Sequence, residues 1–257
     1  MTEKEYEKHV FGELCWQCHG VTHASFEQQR QCPACRRKWS YRNRQIEWKL
    51  LEAFCLAASA HHAGRCLGVA YRTAYTNFRR FRAAILEMAE KERQKLFGEI
   101  EIDETYFGGR RKGRRGRGAA GKVIVFGLLE RSGRVYSVVV PDVSKETLMA
   151  RIRALSIKGS VFYSDEWKSY NDLHFYGKHR IINHQTAYVE GRTHINGIEG
   201  FWSFSKQHYL KCHGVAKHNF ALYLQEYEFR YNHRHDSLFS LLFPSSITTP
   251  SPSFSLP

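Results

Sequence analysis

An α/β protein, with a mixed sheet flanked by helices and two smaller modules ahead of it, is what this sequence predicts. Three observations carry that reading. Strand-like runs at 99–107, 122–130 and 135–140 are followed by a helical pattern at 144–157 and a short apolar strand at 161–164. The first hundred residues differ in character, with paired cysteines giving way to apolar residues at helical spacing. At 257 residues the chain can hold two or three modules and a well-buried core.

Residues 1–44 form the first expected module. Cys15 and Cys18 make one knuckle and Cys32 and Cys35 another, with 13 residues between the pairs. Two residues between cysteines let both thiolates of a turn reach one tetrahedral ion, and the spacer suffices for a hairpin. The pattern predicts a zinc ribbon with one structural Zn²⁺. Gly20 and Pro33 suit its turns, and Trp39 and Tyr41 can cover a site that has little other core, so bound metal would supply most of the stability. His19 and His23 are alternative ligands, expected instead to face solvent or nucleic acid. Cys55, Cys66 and Cys212 lie singly, and an odd total of seven argues against a secreted disulfide scaffold.

Residues 45–97 read as a helix-turn-helix-like module. Ile46, Leu50, Leu51, Phe54, Cys55 and Ala58 fall at helical spacing, a short helix at 62–67 stops at Gly68, and a basic helix follows at 71–86. Arg72, Arg79 and Arg80 are its DNA-binding candidates, with Thr73, Tyr75, Asn77 and Arg82 on the same element. A plain helical linker is the alternative. The charged stretch 91–95 and Gly98 place the next boundary near residue 97.

Residues 98–235 form the largest expected domain. Its first strand alternates Ile100, Ile102, Thr105 and Phe107 with Glu99, Glu101, Asp103 and Glu104, the pattern of a half-buried strand. Two more strands joined by the turn Arg131-Ser132-Gly133-Arg134 complete an antiparallel meander. Ser144 opens the following helix, and the fourth strand stops at Asp165. Three strands, helix, strand, helix is the ribonuclease-H-like order, in which the first and fourth strands are neighbours and Asp103 can face Asp165. A helix beginning near residue 195 adds Glu199 on its inner face, with Lys206 two turns on. Two carboxylates about 4 Å apart repel by roughly 4 kcal/mol at an effective dielectric of about 20, and divalent cations reverse that sign. Asn196 is expected to cap this helix, and Phe201 and Trp202 to be core rather than DNA-stacking residues. A closing helix is expected over 220–231. Residues 236–257, low in complexity and uncharged from 244 to 253, read as a disordered tail.

The formal charge is +14, and residues 1–97 hold half of the excess with 17 basic and 10 acidic side chains. A bias that runs through every module favours a polyanionic partner. Between two strands, Arg110, Arg111, Lys112, Arg114, Arg115 and Arg117 form a glycine-interleaved basic loop suited to phosphates. Gly116 to Lys122 matches a P-loop in spacing, but Val123 stands where Ser or Thr would bind Mg²⁺, and nucleotide binding is rejected. No apolar h-region opens the chain and no run is long enough to span a bilayer, so a cytoplasmic protein is expected.

Three stretches then make the chain similar to a known group. They are Glu101-Ile-Asp-Glu-Thr-Tyr-Phe-Gly-Gly109, Tyr163-Ser-Asp-Glu-Trp-Lys-Ser-Tyr170, and His194-Ile-Asn-Gly-Ile-Glu-Gly-Phe-Trp202 with Lys206. Over about residues 12–235 the chain resembles bacterial insertion-sequence transposases of the DDE class, in the group with a zinc ribbon before an ISXO-like catalytic domain. The resemblance implies that Asp103, Asp165 and Glu199 hold two Mg²⁺ (or Mn²⁺) ions and that Lys206 contacts DNA near the scissile phosphate. It further implies cleavage at the ends of the element and attack of the freed 3′-hydroxyl on target DNA. The partners it implies are double-stranded DNA, as terminal inverted repeats and target, and a second copy of the chain, in a bacterial cytoplasm at the nucleoid. Two other readings stay open: a DNA-binding derivative without chemistry, and a structure-specific nuclease.

Overall fold

Gly68, Ser59 and Ser144 punctuate the helices, and the alternating run at 99–107 becomes the middle of a sheet. The computed structural model describes residues 21–26, 29–108, 122–131, 133–165, 168–182, 194–212 and 214–248, together with Cys15 and Cys18. The chain divides into two compact units, 1–84 with 236–257, and 85–235. The division falls inside a continuous helix.

In the first unit, strands β1 (His23–Phe26), β2 (Gln29–Gln31) and β3 (Lys38–Ser40) form an antiparallel sheet in sequence order. Helices α1 (Tyr41–Cys55), α2 (Ala60–Leu67) and α3 (Tyr71–Glu92) follow. Ser59 caps α2 through its side-chain oxygen, which accepts the His62 N–H at 3.2 Å, and Gly68 ends it in the left-handed region at φ 63. Phe54 packs on Phe78 and Phe81 with ring centroids 5.1 and 5.4 Å apart. Residues 236–257, expected to be a disordered tail, instead begin with helix α7 (Leu238–Thr248), which packs on α1 and buries Leu242 and Phe243. Serine and proline content dominates a compositional reading there, but Leu238, Leu241 and Leu242 recur at helical spacing and supply a face to bury.

The second unit holds β4 (Glu99–Phe107), β5 (Val123–Glu130), β6 (Val135–Val140), α4 (Lys145–Leu155), β7 (Val161–Asp165), a 3₁₀ helix (Lys168–Phe175), β8 (Lys178–Ile182), α5 (Asn196–Lys211) and α6 (Lys217–Asn232). The sheet order is β6-β5-β4-β7-β8, antiparallel from β6 to β4 and parallel from β4 to β8. This is the expected ribonuclease-H-like order, with β8 and the 3₁₀ helix as additions. Ile100, Ile102, Phe126, Leu128 and Phe162 form a core on one face with Leu148 and Ile152 of α4, while Val125, Leu129 and Tyr163 form a second on the other with Ile198, Phe201 and Trp202 of α5. Helices therefore cover both faces of β4, and the strand is buried on both sides rather than half-buried, with Glu101 only 1% exposed.

The free edge of β6 is closed by side chains instead of another strand. Asn232 accepts the Val135 N–H at 2.8 Å and donates to its carbonyl at 3.0 Å, and Glu228 accepts both the N–H and the O–H of Ser137, at 2.6 and 2.8 Å. Burial pushes the Glu228 carboxyl up to about 7, with the like charge of Glu90 adding to it and Ser137 and Arg93 pulling against it. A raised folded-state value means that stability is full below the ordinary 4.5 and is lost as pH rises toward 7. At 1.36 kcal/mol per unit the loss is about 3 kcal/mol. Thermal unfolding followed from pH 5 to pH 8 is expected to show the wild type losing stability relative to Glu228→Gln, whose curve stays the flatter of the two.

Candidate active site

The site is built where α5 presses on the sheet. Gly127 of β5 pairs in register with Asp103 of β4, and a Cβ at Gly127 would lie 2.6 Å from the Trp202 ring, closer than real contacts allow. The missing side chain lets the indole pack close against the strand, where Trp202 is 4% exposed. From there its Nε1–H donates to Asp103 Oδ2 at 3.0 Å. Burial, together with the like charges of Glu104 and Asp165, raises the Asp103 carboxyl to about 7 against the pull of that N–H.

Asp165 ends β7, the parallel neighbour of β4. The register pairs Glu101 with Tyr163, so two residues on it brings Asp103 level with Asp165, on the same face as Tyr163 and α5. Glu104 points the other way and accepts the Tyr170 hydroxyl at 2.8 Å. Glu199 and Lys206 lie one turn before and one turn after Trp202 along α5, and both are exposed, whereas Glu199 was expected on the inner face. Lys206 is within electrostatic reach of Asp103; partial desolvation of its ammonium lowers its pKa, and Asp103 pulls it back up. The oxygens of Asp103, Asp165 and Glu199 are not gathered within one coordination shell: among the described residues, the four cysteines are the one group of three or more ligating side chains whose atoms lie within 4.8 Å of one another.

Glu101, which with Glu104 and Glu166 the sequence leaves open as an alternative carboxylate, has a part in the structure that sequence reasoning did not foresee. Its Oε1 accepts Arg131 Nε at 3.0 Å and its Oε2 accepts the Ile198 N–H at 2.9 Å. Asn196 was expected to cap α5, but Ile195 holds the N-cap position without a side-chain bond, and Glu101 does the capping from across the sheet. The one signal for this in the sequence is that Glu101 shares a strand face with Asp103.

Cys15 Sγ lies 3.5 Å from Cys35 Sγ, and Cys18 Sγ lies 3.4 Å from Cys32 Sγ. Tetrahedral zinc at about 2.3 Å from each sulfur needs sulfurs roughly 3.8 Å apart. The Cys35 backbone N–H lowers the Cys32 thiol to about 7, toward the thiolate that a metal requires. The donor set fits Zn²⁺. Of the DNA-binding candidates, Arg72 is exposed at the start of α3, Arg79 is half-buried, and Arg80 Nη1 is held by Glu47 at 3.1 Å. Arg82 is buried with its guanidinium 5.5 Å from the Phe54 ring centroid. Arg110, Arg111, Lys112, Arg114, Arg115 and Arg117 lie outside the described residues, as does the P-loop-like stretch before Lys122.

Sheet order, crossover helix and the carboxylates on one face define a ribonuclease-H-like domain, the class of protein to which the second unit belongs. Residues 95–232 match the ISXO2-like transposase domain, and the chain belongs to that family. An uncharacterized transposase-like protein of Haemophilus influenzae is 42% identical over 100 residues, 38% of this chain and 81% of that protein. A protein in the transposable element ISH50 of Halobacterium salinarum is 28% identical over 186 residues, 64% of this chain and 61% of its own length. The HTLV-2 integrase catalytic core domain in complex with magnesium has a TM-score of 0.35 and 13% identity, over 55% of this chain and 89% of that one. Among the described residues no helix is long and apolar enough to cross a membrane.

The seating of Trp202 on Gly127 generates a test. Gly127→Ala is expected to cost about 1–3 kcal/mol in denaturant unfolding by overpacking. In a Trp202→Leu background, where the ring is gone, most of that cost should disappear.

Proposed function

We propose that this chain is the transposase of an insertion sequence, binding the ends of its element, cutting DNA strands there and joining the 3′-hydroxyl ends to target DNA. The observation that carries the reading is the Asp103–Asp165 juxtaposition on one face of two parallel strands, under a helix that carries Glu199 and Lys206, in a chain of the ISXO2-like family.

The half-buried, mutually repelling pair Asp103 and Asp165 is the donor chemistry that a hard divalent cation relieves, which supports assigning Asp103, Asp165 and Glu199 as the residues that would hold two Mg²⁺ or Mn²⁺ ions. When bound, such ions activate an attacking oxygen and stabilise a leaving one during in-line displacement. The chain's own residues orient the reaction. Trp202 fixes the Asp103 carboxylate by its N–H, and Lys206, beside the same carboxylate, is placed to bind the phosphate next to the scissile bond. In the first unit, Cys15, Cys18, Cys32 and Cys35 would hold one structural Zn²⁺, and α1, α2 and α3 follow the order of a helix-turn-helix, with Arg72 and Arg79 as its candidate DNA contacts. Arg110, Arg111, Lys112, Arg114, Arg115 and Arg117 add phosphate-binding charge in the loop between β4 and β5. Joining two ends requires at least two copies on DNA, acting at the bacterial nucleoid.

With a duplex carrying the inverted repeats that flank the coding DNA, Asp103→Ala, Asp165→Ala and Glu199→Ala are each expected to reduce Mg²⁺-dependent cleavage to background and to leave end binding intact in a gel-shift assay. Cleavage or joining by any of these purified variants overturns that residue's assignment. Cys15→Ser should do the reverse, removing end binding through loss of the zinc-held fold. Wild-type protein that binds ends but never cuts would be a DNA-binding derivative, and one that cuts without regard to ends and never joins would be a nuclease. Arg72→Ala should reduce the slope of log affinity against log salt by about one unit.

A further inference from the structure

We infer that Glu101, braced by Arg131, is a positioning residue that sets α5 against the sheet and thereby holds Glu199 in register with Asp103 and Asp165. This rests on the assignment of those three carboxylates as the cation-binding group.

The geometry is that of a buried four-way junction. The Glu101 side chain is 1% exposed, and its two oxygens are spent on different elements. Oε2 accepts the Ile198 N–H at 2.9 Å, one of the amides left without a helical partner in the first turn of α5. Oε1 accepts Arg131 Nε at 3.0 Å. Arg131 leaves the end of β5, donates Nη2 to the His194 carbonyl at 2.6 Å, and lays its guanidinium 3.7 Å from the Tyr163 ring centroid. The Tyr163 hydroxyl closes the ring of contacts by donating to Glu99 at 2.8 Å. His194 Nδ1 stands 3.5 Å from Glu101 Oε1 without hydrogen-bonding to it.

Each arm of this junction ends next to one of the three carboxylates. Glu101 is two residues before Asp103 on β4, Tyr163 is two residues before Asp165 on β7, and Ile198 immediately precedes Glu199 on α5. Residues two apart on a strand share a face, so the junction and the carboxylate pair form consecutive rows of the same surface. Gly197 fixes the closeness of the helix: a Cβ there would lie 2.8 Å from Glu101 Oε2 and 3.0 Å from Leu129 Cδ2. A side chain at 197 requires the contact between the first turn of α5 and the carboxylate to shift. Stability alone does not require this arrangement, since an N-cap from Asn196 or Ser at 195 would satisfy the same amides locally. What the long-range cap adds is register, because Glu199 can reach the carboxylate pair only if the first turn of α5 is held at a fixed height on β4.

Residues that orient ligands in this way typically change metal affinity by about 10–100-fold when altered. The test uses the full-length, zinc-loaded chain and Mn²⁺ alone, with free Mn²⁺ read by electron paramagnetic resonance, thermal unfolding measured alongside, and DNA binding measured in the absence of divalent cation. Wild type is expected to bind Mn²⁺ and Asp103→Asn to lose that binding. Glu101→Gln and Gly197→Ala are expected to weaken Mn²⁺ binding about 10–100-fold while both bind DNA as wild type does. Gly197→Ala is the decisive variant if Glu101→Gln unfolds, because alanine favours the helix by about 1 kcal/mol over glycine and leaves the Glu101–Arg131 pair in place. If Asp103→Asn loses Mn²⁺ but Gly197→Ala, and Glu101→Gln where folded, bind it like wild type, the positioning role is overturned and the carboxylate assignment stands. If wild type and Asp103→Asn bind Mn²⁺ alike, or neither binds it, the assignment beneath the inference fails and the inference goes with it.

Discussion

The approach of α5 to Gly127 is the constraint on which the rest of the second unit depends. An indole lies in the space where any other residue would carry a Cβ, and this single vacancy in the sheet surface brings the helix close enough for an N–H to reach Asp103. Because positions three and four apart share a helical face, fixing Trp202 also fixes where Glu199 and Lys206 emerge. The Asp103 carboxyl, raised by burial and by its acidic neighbours, has the Glu104 backbone N–H and that indole as donors. A sheet face that concentrates acid in this way is unfavourable on its own.

Buried charge recurs in this unit, and twice it joins two elements. Glu101 ties β4 to α5, Glu228 ties α6 to the edge of β6, and Arg230 is held by Glu226 at 2.8 Å within α6. Buried ion pairs contribute little net stability compared with apolar residues of the same volume. Their effect is on alternatives. A slip of α5 or α6 by one residue would leave a carboxylate and a main-chain N–H without partners, at about 1–3 kcal/mol for each polar group. The apolar cores on the two faces tolerate small sliding motions; the carboxylates do not.

Local signals in the sequence located most elements. The Ser144 cap and the Gly68 stop are chemical events within four residues of chain, and the alternation at 99–107 reports the pleat, so α4, α2 and β4 were legible. The adjacency of Asp103 and Asp165 followed from strand order. What was not legible depends on distant partners. Nothing near Asn196 shows that its helix is capped from residue 101, and alternation in β4 could not show that α5 covers the acidic face. β8 has only five residues, three of them basic or histidine, and owes its place to pairing with β7 rather than to any apolar pattern of its own. Helix α7 was hidden by serine and proline, because composition averages over the leucines that pack on α1.

Net charge overstates the cation available to DNA in the first unit. α3 carries four arginines before residue 83, yet Arg80 is neutralised by Glu47 and Arg82 is buried beside Phe54. An arginine already paired gains little from a phosphate unless the first pair breaks, and a buried one cannot reach a phosphate without unpacking the core. Of the four arginines, Arg72 in the first turn is the exposed one, beside the stacked rings of Tyr71 and Tyr75. Arg80 and Arg82 further along α3 instead tie it to α1.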